Sequence, residues 1–400
     1  MGYNADMDPL LRWRDEFPIL ARSTYLISNS LGAMPRAVSA QMQRYADVWA
    51  TRGVRAWEEE WWPMAAAVGD ELGVLIGATP GETSVHQNVT TTQAVLASCF
   101  DFSGPRNKVV MSELEFPSIH YFYQEQQRRG ARVEIVRSDN RLRVPLEKFL
   151  AAIDEQTLLV PISYVLFRSA TIVDARAIIE RAHRVGAHVC LDLYQATATL
   201  PVNVRELKTD FAVGGCIKWL CGGPGVAYLY VREDLRKNLR PAFTGWFAHR
   251  RPFNFEAGAN DPHDDARGLL NGTTQIPALY ACRPGIEIIG NVGVENIRAK
   301  SVRQTTRLIE LAQARGWQVN TPAEPAERGG TVSVDCPHAE AVSRELLARE
   351  ILVDYRPNAG IRMSPHFYTK DEELDFAVAQ IADILETRAW ERHAKQAVAT

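Results

Sequence analysis

The chain has 400 residues, of which 46% are hydrophobic and 23% charged, enough to bury a large core that we expect to divide into two domains. A formal net charge of -3 leaves no basic excess to neutralise a phosphate backbone, so nucleic acid is not an expected partner. Six scattered cysteines without a CxxC pair, with no apolar leader or membrane-spanning stretch, favour a cytoplasmic protein with reduced thiols.

Short apolar segments recur through the first two thirds of the chain. They predict strands at 109–112, 132–136, 158–163, 188–193, 211–213 and 226–231. A helical pattern over 175–185 lies between two of them. Because these segments lack polar alternation, the strands are expected to be covered on both faces, which predicts a mainly parallel α/β sheet.

After about residue 286 the pattern changes to that of a small α+β domain. The predicted elements are a helix at 292–315, strands at 317–320 and 331–335, a helix at 340–350, strands at 351–355 and 360–363, and a closing helix. Thr369 and Glu372 have the spacing of a capping box at the start of that last helix. We therefore expect an N-terminal segment 1–40 that packs on the small domain, a large domain 41–285 and a small domain 286–400.

Two residues at strand ends indicate a specific chemistry. Lys218 follows the segment 211–213, and Asp192 lies at the end of the segment 188–193. A lysine among apolar neighbours has a lowered pKa, so its neutral amine can form a Schiff base with an aldehyde. A carboxylate facing a pyridine nitrogen keeps that nitrogen protonated, so that the ring can accept electrons. The pair indicates pyridoxal phosphate chemistry, although either residue alone is more often solvated.

Six strings carry a family resemblance. They are Asn-Ser-Leu-Gly at 29–32, Phe-Pro-Ser at 116–118, Asp-Leu-Tyr-Gln at 192–195, Lys-Trp-Leu-Cys-Gly-Gly-Pro-Gly at 218–225, Gly-Trp-Phe-Ala-His at 245–249 and Arg-Met-Ser-Pro-His-Phe-Tyr at 362–368. Their order and spacing resemble kynureninase, a fold-type I enzyme of the class V aminotransferase superfamily. The resemblance implies pyridoxal 5'-phosphate, a large domain with a mainly parallel seven-stranded sheet flanked by helices, a smaller α+β domain and a homodimer with shared active sites.

The resemblance also assigns roles to single residues. Lys218 and Asp192 would be catalytic and would contact the cofactor. The other cofactor-binding residues would be Val89, Thr90, Thr91, Phe116, Gln195, Trp246 and, from the neighbouring subunit, Thr273. The substrate-binding residues would be Asn29, Phe247, His249 and Arg362. Each type also has a plain structural use, since threonines cap helices, Trp-Phe pairs fill cores and arginines form surface ion pairs.

Three positions depart from the kynureninase pattern. Ile217 replaces a tyrosine that is thought to donate a proton, Ile119 replaces a usual aspartate, and Gln195 replaces a usual histidine. Because isoleucine cannot donate a proton, the product carbanion would need another donor, such as water or Lys218. The acidic cluster at 261–265 lacks ligand spacing, so no metal is expected.

The expected activity is hydrolysis of the Cβ–Cγ bond of L-kynurenine or a related amino acid, which gives alanine and an anthranilic-type acid. Two alternatives stay open, because fold and cofactor do not fix a reaction. One is an aminotransferase or β-lyase acting on another amino acid. The other is a protein that binds pyridoxal phosphate without catalysis.

Overall fold

The structure, a computed structural model, describes residues 8–255 and 257–393. The strands are β1 Thr24–Tyr25, β2 Thr83–His86, β3 Lys108–Ser112, β4 Arg132–Val136, β5 Thr157–Ser163, β6 His188–Asp192, β7 Phe211–Gly215, β8 Ala227–Val231, β9 Gln318–Val319, β10 Val332–Asp335, β11 Ile351–Leu352, β12 Asp354–Arg356 and β13 Gly360–Met363. The α-helices are α1 Ala37–Arg52, α2 Trp62–Val74, α3 Val89–Ala97, α4 Pro117–Glu125, α5 Leu146–Ala151, α6 Ala175–Arg184, α7 Val204–Leu207, α8 Glu233–Arg236, α9 Ile276–Val292, α10 Val294–Gln313, α11 Ala339–Ala348 and α12 Asp371–Glu386. No helix among these residues is both long and apolar enough to cross a membrane.

The central sheet has seven strands in the order β2-β8-β7-β6-β5-β3-β4, and only β8 runs against the others. The core strands are almost entirely buried, whereas edge strand β4 alternates between exposed and half-buried positions until the buried Val136 at its end. The prediction of a mainly parallel sheet covered by helices is confirmed. Strand β2 was not predicted, because its sequence, Thr-Ser-Val-His, has only one apolar residue.

The carboxyl ends of parallel strands meet at one edge of this sheet, where α/β proteins place their ligand sites. β5 ends at Ser163, β6 ends at Asp192 and β7 ends at Gly215, three residues before Lys218. The strand order therefore brings residues that are distant in sequence to one crevice.

The C-terminal part contains a four-stranded antiparallel sheet, in the order β12-β13-β10-β9, packed against α10, α11 and α12. The predicted strand at 351–355 is two strands, because β11 pairs with β1 and β12 pairs with β13. Helix α9 runs unbroken across the predicted boundary at 286. Gly293, with its positive φ, separates α9 from α10. The division into domains stays a prediction.

The predicted capping box of the last helix is shifted by one residue. The N-cap is Lys370, and its backbone N–H donates to the Glu373 carboxylate at 2.8 Å. The Thr369 hydroxyl instead accepts a hydrogen bond from the His366 N–H, so it closes the preceding turn.

An N-terminal segment, residues 24–32, connects the C-terminal part to the central crevice. β1 pairs in parallel with β11, and the Ser364 N–H donates to the Leu26 carbonyl at 2.7 Å. At the other end of the segment, the Gly32 N–H donates to the Ile217 carbonyl at 2.8 Å. A Cβ on Gly32 would lie 2.1 Å from the Lys218 carbonyl oxygen, so this close approach requires glycine.

Candidate active site

A cavity of about 320 Å³ opens at the carboxyl edge of the central sheet. Its wall contains Lys218, whose Nζ atom lies 5.5 Å from the centroid of the Phe116 ring and 4.5 Å from that of Tyr194. Burial lowers the pKa of this amine to about 8, while the Asp192 carboxylate has a smaller opposing effect. About a tenth of the amine is therefore neutral at pH 7, in the form that covalent bonding to an aldehyde requires.

Asp192 lies at the end of β6 and is 8% exposed. Its Oδ1 accepts a hydrogen bond from the Tyr194 N–H at 2.8 Å. Burial raises its pKa, and the Tyr194 N–H and Lys218 oppose this rise. A buried carboxylate without a bonded cation favours a protonated ring nitrogen as its partner.

A second buried carboxylate, Glu115, lies next to Phe116. It accepts hydrogen bonds from the Ser112 hydroxyl at 2.8 Å and from the Ser163 N–H at 2.7 Å. Burial raises its pKa to about 7, and these two bonds act in the opposite direction. These bonds connect Glu115, the residue directly before Phe116, to the end of β5.

The start of helix α3 forms another part of the wall. Val89 and Thr90 line the cavity, and the N-cap Asn88 accepts hydrogen bonds from the N–H and the hydroxyl of Thr91 at 2.9 and 3.2 Å. The first N–H groups of a helix have no partner within the helix and attract an anion such as a phosphate. Thr91 therefore organises this turn, whereas Val89 and Thr90 face the cavity.

Asn29 and Gln195 meet on the opposite side. The Gln195 side chain donates to the Asn29 carbonyl at 3.1 Å and accepts from the Trp219 indole N–H at 2.9 Å. The Asn29 amide is 1% exposed, lines the cavity and has no hydrogen-bond partner for its nitrogen or its oxygen among the described residues. A buried amide of this kind indicates a position for a ligand.

Arg362 reaches the cavity from β13. Its Nε donates to Asp354 Oδ1 at 2.7 Å, its second terminal nitrogen bonds Asp354 Oδ2, and the remaining one donates to the Phe167 carbonyl. The predicted carboxylate clamp is thus held by an internal carboxylate and faces the cavity.

Besides Thr91, four predicted residues do not line this cavity: Trp246, Phe247, His249 and Thr273. Phe247 is 3% exposed and packs on Trp62, with ring centroids 4.2 Å apart. The His249 ring accepts from the Arg251 N–H at 2.9 Å, and Thr273 is exposed. Their cofactor and substrate roles stay predictions, and that of Thr273 involves a second subunit.

The sequence reasoning missed the cavity residues Tyr194, Arg356 and Phe167, and also Glu115, which bonds to Ser163 at the cavity wall. Tyr194 belongs to the Asp-Leu-Tyr-Gln segment at 192–195, and its position two residues after Asp192 could have indicated its place in the site. The others lie outside the strings, and only the fold brings them to the site.

The residues fit pyridoxal 5'-phosphate. Lys218 would bond its aldehyde, Asp192 would face its ring nitrogen, Phe116 and Tyr194 would flank its ring, and the α3 N-terminus would hold its phosphate. Comparison with known proteins agrees, because the family model Aminotransferase class-V matches residues 24–375. The chain belongs to the class V aminotransferase family. Its cofactor is therefore pyridoxal 5'-phosphate, as the resemblance implied.

Curated relatives of this class V protein carry two different names. A kynureninase from Burkholderia pseudomallei (strain 1106a) is 29% identical over 399 residues, covering 96% of this chain and 94% of that protein. An uncharacterized aminotransferase, YcbU, from Bacillus subtilis (strain 168) is also 29% identical, covering 93% and 97%. These relatives leave the reaction within the class V family open.

Solved structures support the fold of this class V chain. The apo cysteine desulfurase from Thermococcus onnurineus NA1 superposes with a TM-score of 0.84 at 20% identity, covering 96% of this chain and 100% of that one. The cystine C-S lyase C-DES, in complex with cysteine persulfide, gives 0.82 at 20% identity over 92% and 99%. At this identity the likeness shows the shared fold only.

Proposed function

We propose that this enzyme hydrolyses the Cβ–Cγ bond of L-kynurenine or a related amino acid, giving alanine and an anthranilic-type acid. One observation carries the proposal: the cavity joins a buried amine, Lys218, and a carboxylate-binding guanidinium, Arg362, across an apolar wall. That wall includes Phe116, Phe167 and Ile119. It suits an aromatic side chain held beyond an α-amino acid head, and the relatives named kynureninase support the same substrate class.

Each residue has a distinct task. Pyridoxal 5'-phosphate, when bound, supplies an electron sink for negative charge at the substrate Cα. The Lys218 amine takes the proton from Cα, and its lowered pKa keeps part of it neutral and basic near pH 7. Asp192 holds a proton on the ring nitrogen, and Arg362 orients the α-carboxylate.

The return of a proton to the product needs a donor. Ile217 lines the cavity at the position of the family tyrosine and has no proton to give. Lys218, protonated by its first task, is the donor placed nearest to the reaction, with water as the alternative. With this donor we expect a slower reaction than in an enzyme that has the tyrosine.

A second candidate is aminotransfer or β-elimination on the same scaffold. It is favoured by the three departures Ile217, Ile119 and Gln195 and by the relative named aminotransferase. Gln195 is bonded to Trp219, as expected of a residue fixed beside the cofactor. Aminotransfer predicts conversion of bound cofactor to its pyridoxamine form, whereas β-elimination predicts release of ammonia and a 2-oxo acid with the cofactor unchanged.

Incubation with L-kynurenine and 3-hydroxy-L-kynurenine tests the proposal. Fluorescent anthranilates and alanine in equal amounts are expected, with Lys218→Ala as the inactive control. Pyridoxamine formation without side-chain cleavage would favour aminotransfer. Retained visible absorbance without turnover across an amino-acid panel would favour a binding protein.

We also propose a cytoplasmic homodimer in which Thr273 completes the partner's site. Mixing inactive Lys218→Ala and Thr273→Ala variants should restore activity, because one site of each mixed dimer contains neither change. If mass spectrometry shows that the subunits have exchanged but no activity returns, the active sites are not shared.

A further inference from the structure

Arg362 is not free to use its whole guanidinium on a substrate. Asp354 lies directly opposite Arg362 on β12. The Asp354 carboxylate accepts hydrogen bonds from Nε and Nη2 of the Arg362 guanidinium. A third bond goes to the Phe167 carbonyl. Since a guanidinium has five N–H groups, two remain for a ligand, one on each terminal nitrogen.

A second arginine, Arg356, lies at the end of β12 and lines the same cavity. Its Nη2 lies 3.1 Å from Asp354 Oδ2, and its Nη1 donates to the Tyr355 carbonyl at 2.8 Å. The Arg356 side chain is 38% exposed, compared with 3% for Arg362. Arginine keeps its charge in proteins. Two guanidinium groups therefore share one carboxylate, and among the described residues neither is paired with a second one.

The unpartnered Asn29 amide lines the cavity with both arginines. Leaving a buried polar group unsatisfied disfavours the empty state, and a bound group that accepts hydrogen bonds relieves it. Arg356, Arg362 and Asn29 together supply the donors that one carboxylate with two oxygens can use.

We propose that Arg356 is a substrate-binding residue that shares the α-carboxylate with Arg362, and that Asp354 limits the site to substrates with one carboxylate and an uncharged side chain. With one substrate carboxylate, the two arginines meet two carboxylates, that of Asp354 and that of the substrate. A second carboxylate would find no further arginine in the cavity lining, and Phe116, Ile119 and Ile217 offer it no partner. The inference rests on the proposed function in taking an amino acid as substrate.

Titration of the holoenzyme, followed by its visible absorbance, tests the inference without side-chain cleavage. L-alanine, L-aspartate and ethylamine are the probes, since they carry one, two and no carboxylates. The unaltered enzyme should bind L-alanine more tightly than L-aspartate. Arg356→Met should weaken L-alanine binding about 10- to 100-fold, as loss of charged hydrogen bonds does, and leave ethylamine binding unchanged. Asp354→Asn, which leaves a second positive charge unbalanced, should narrow the preference for L-alanine over L-aspartate.

The control is Arg344→Met, which removes an arginine that pairs with Glu340 on α11 outside the cavity. It should change none of the three affinities. Tighter binding of L-aspartate by the unaltered enzyme would overturn the inference, as would an Arg356→Met variant that binds L-alanine normally. Failure of the proposed function shows separately, as absence of anthranilate from kynurenine while these titrations still succeed.

Discussion

The Lys218 amine lies over two aromatic rings, and the ring of Tyr194, at 4.5 Å, is nearer than that of Phe116. A flat cofactor bonded to this amine would lie within reach of both rings. The Tyr194 hydroxyl points at Gly215, where an added Cβ would lie only 2.5 Å from it. The ring rather than the hydroxyl therefore faces the cofactor.

We expect Tyr194→Ala to lose cofactor roughly tenfold faster than the unaltered enzyme, because an aromatic contact contributes about 1 kcal/mol beyond the area it buries. Tyr194→Phe should retain cofactor normally. Dialysis followed by visible absorbance measures both rates, with Tyr121→Ala, at an exposed position on α4, as the control. Equal loss from the Phe and Ala variants would assign the effect to the hydroxyl.

The lowered pKa of Lys218 predicts how cofactor loading depends on pH. Only the neutral amine attacks an aldehyde, so the rate at which apoprotein binds pyridoxal 5'-phosphate should rise with a midpoint at about pH 8. Stopped-flow absorbance across pH 6 to 10 measures this midpoint. A midpoint close to the ordinary lysine value of 10.5 would show that burial does not act on this amine.

Glu115 predicts a pH-dependent stability. Its folded-state pKa of about 7 lies above its ordinary 4.5, so between these values the folded protein binds a proton that the unfolded chain has released. The free energy of unfolding should therefore fall as pH rises through this window. Glu115→Gln cannot lose a proton, and it should gain about 1–3 kcal/mol relative to the unaltered protein between pH 4.5 and 7.

Urea unfolding of the apoprotein at several pH values measures this difference. The matched control is Glu147→Gln at an exposed position on α5, which should follow the unaltered protein. A constant difference between Glu115→Gln and the unaltered protein would mean that Glu115 titrates normally.

Ile217 predicts a gain of function. Ile217→Tyr places a proton donor where the kynureninase resemblance expects one, and general acid catalysis contributes roughly 10²-fold or more when the donor is well placed. We expect faster release of anthranilate from L-kynurenine. Ile217→Phe supplies the same bulk without the hydroxyl and separates proton donation from packing. Equal rates for the two variants would assign proton return to another group.

The sequence predicted the sheet because its core strands are continuous apolar runs, and it predicted Lys218 and Asp192 because each follows such a run. It could not predict Arg356, which meets Arg362 only through the pairing of β12 with β13. Glu115 was missed for a related reason, since its partner Ser163 lies at the end of a different strand. Contacts of this kind depend on the strand order, which short-range patterns do not contain. The one-residue shift of the last helix cap has a local cause, because Thr369 is already engaged in the preceding turn.

The segment 24–32 connects two functional parts of the protein. One end is hydrogen-bonded to β11 and to Ser364, just beyond the strand that carries Arg362. The other end is hydrogen-bonded to the Ile217 carbonyl. These nine residues therefore join the strand that carries Arg362 to the peptide beside Lys218, through backbone hydrogen bonds at both ends.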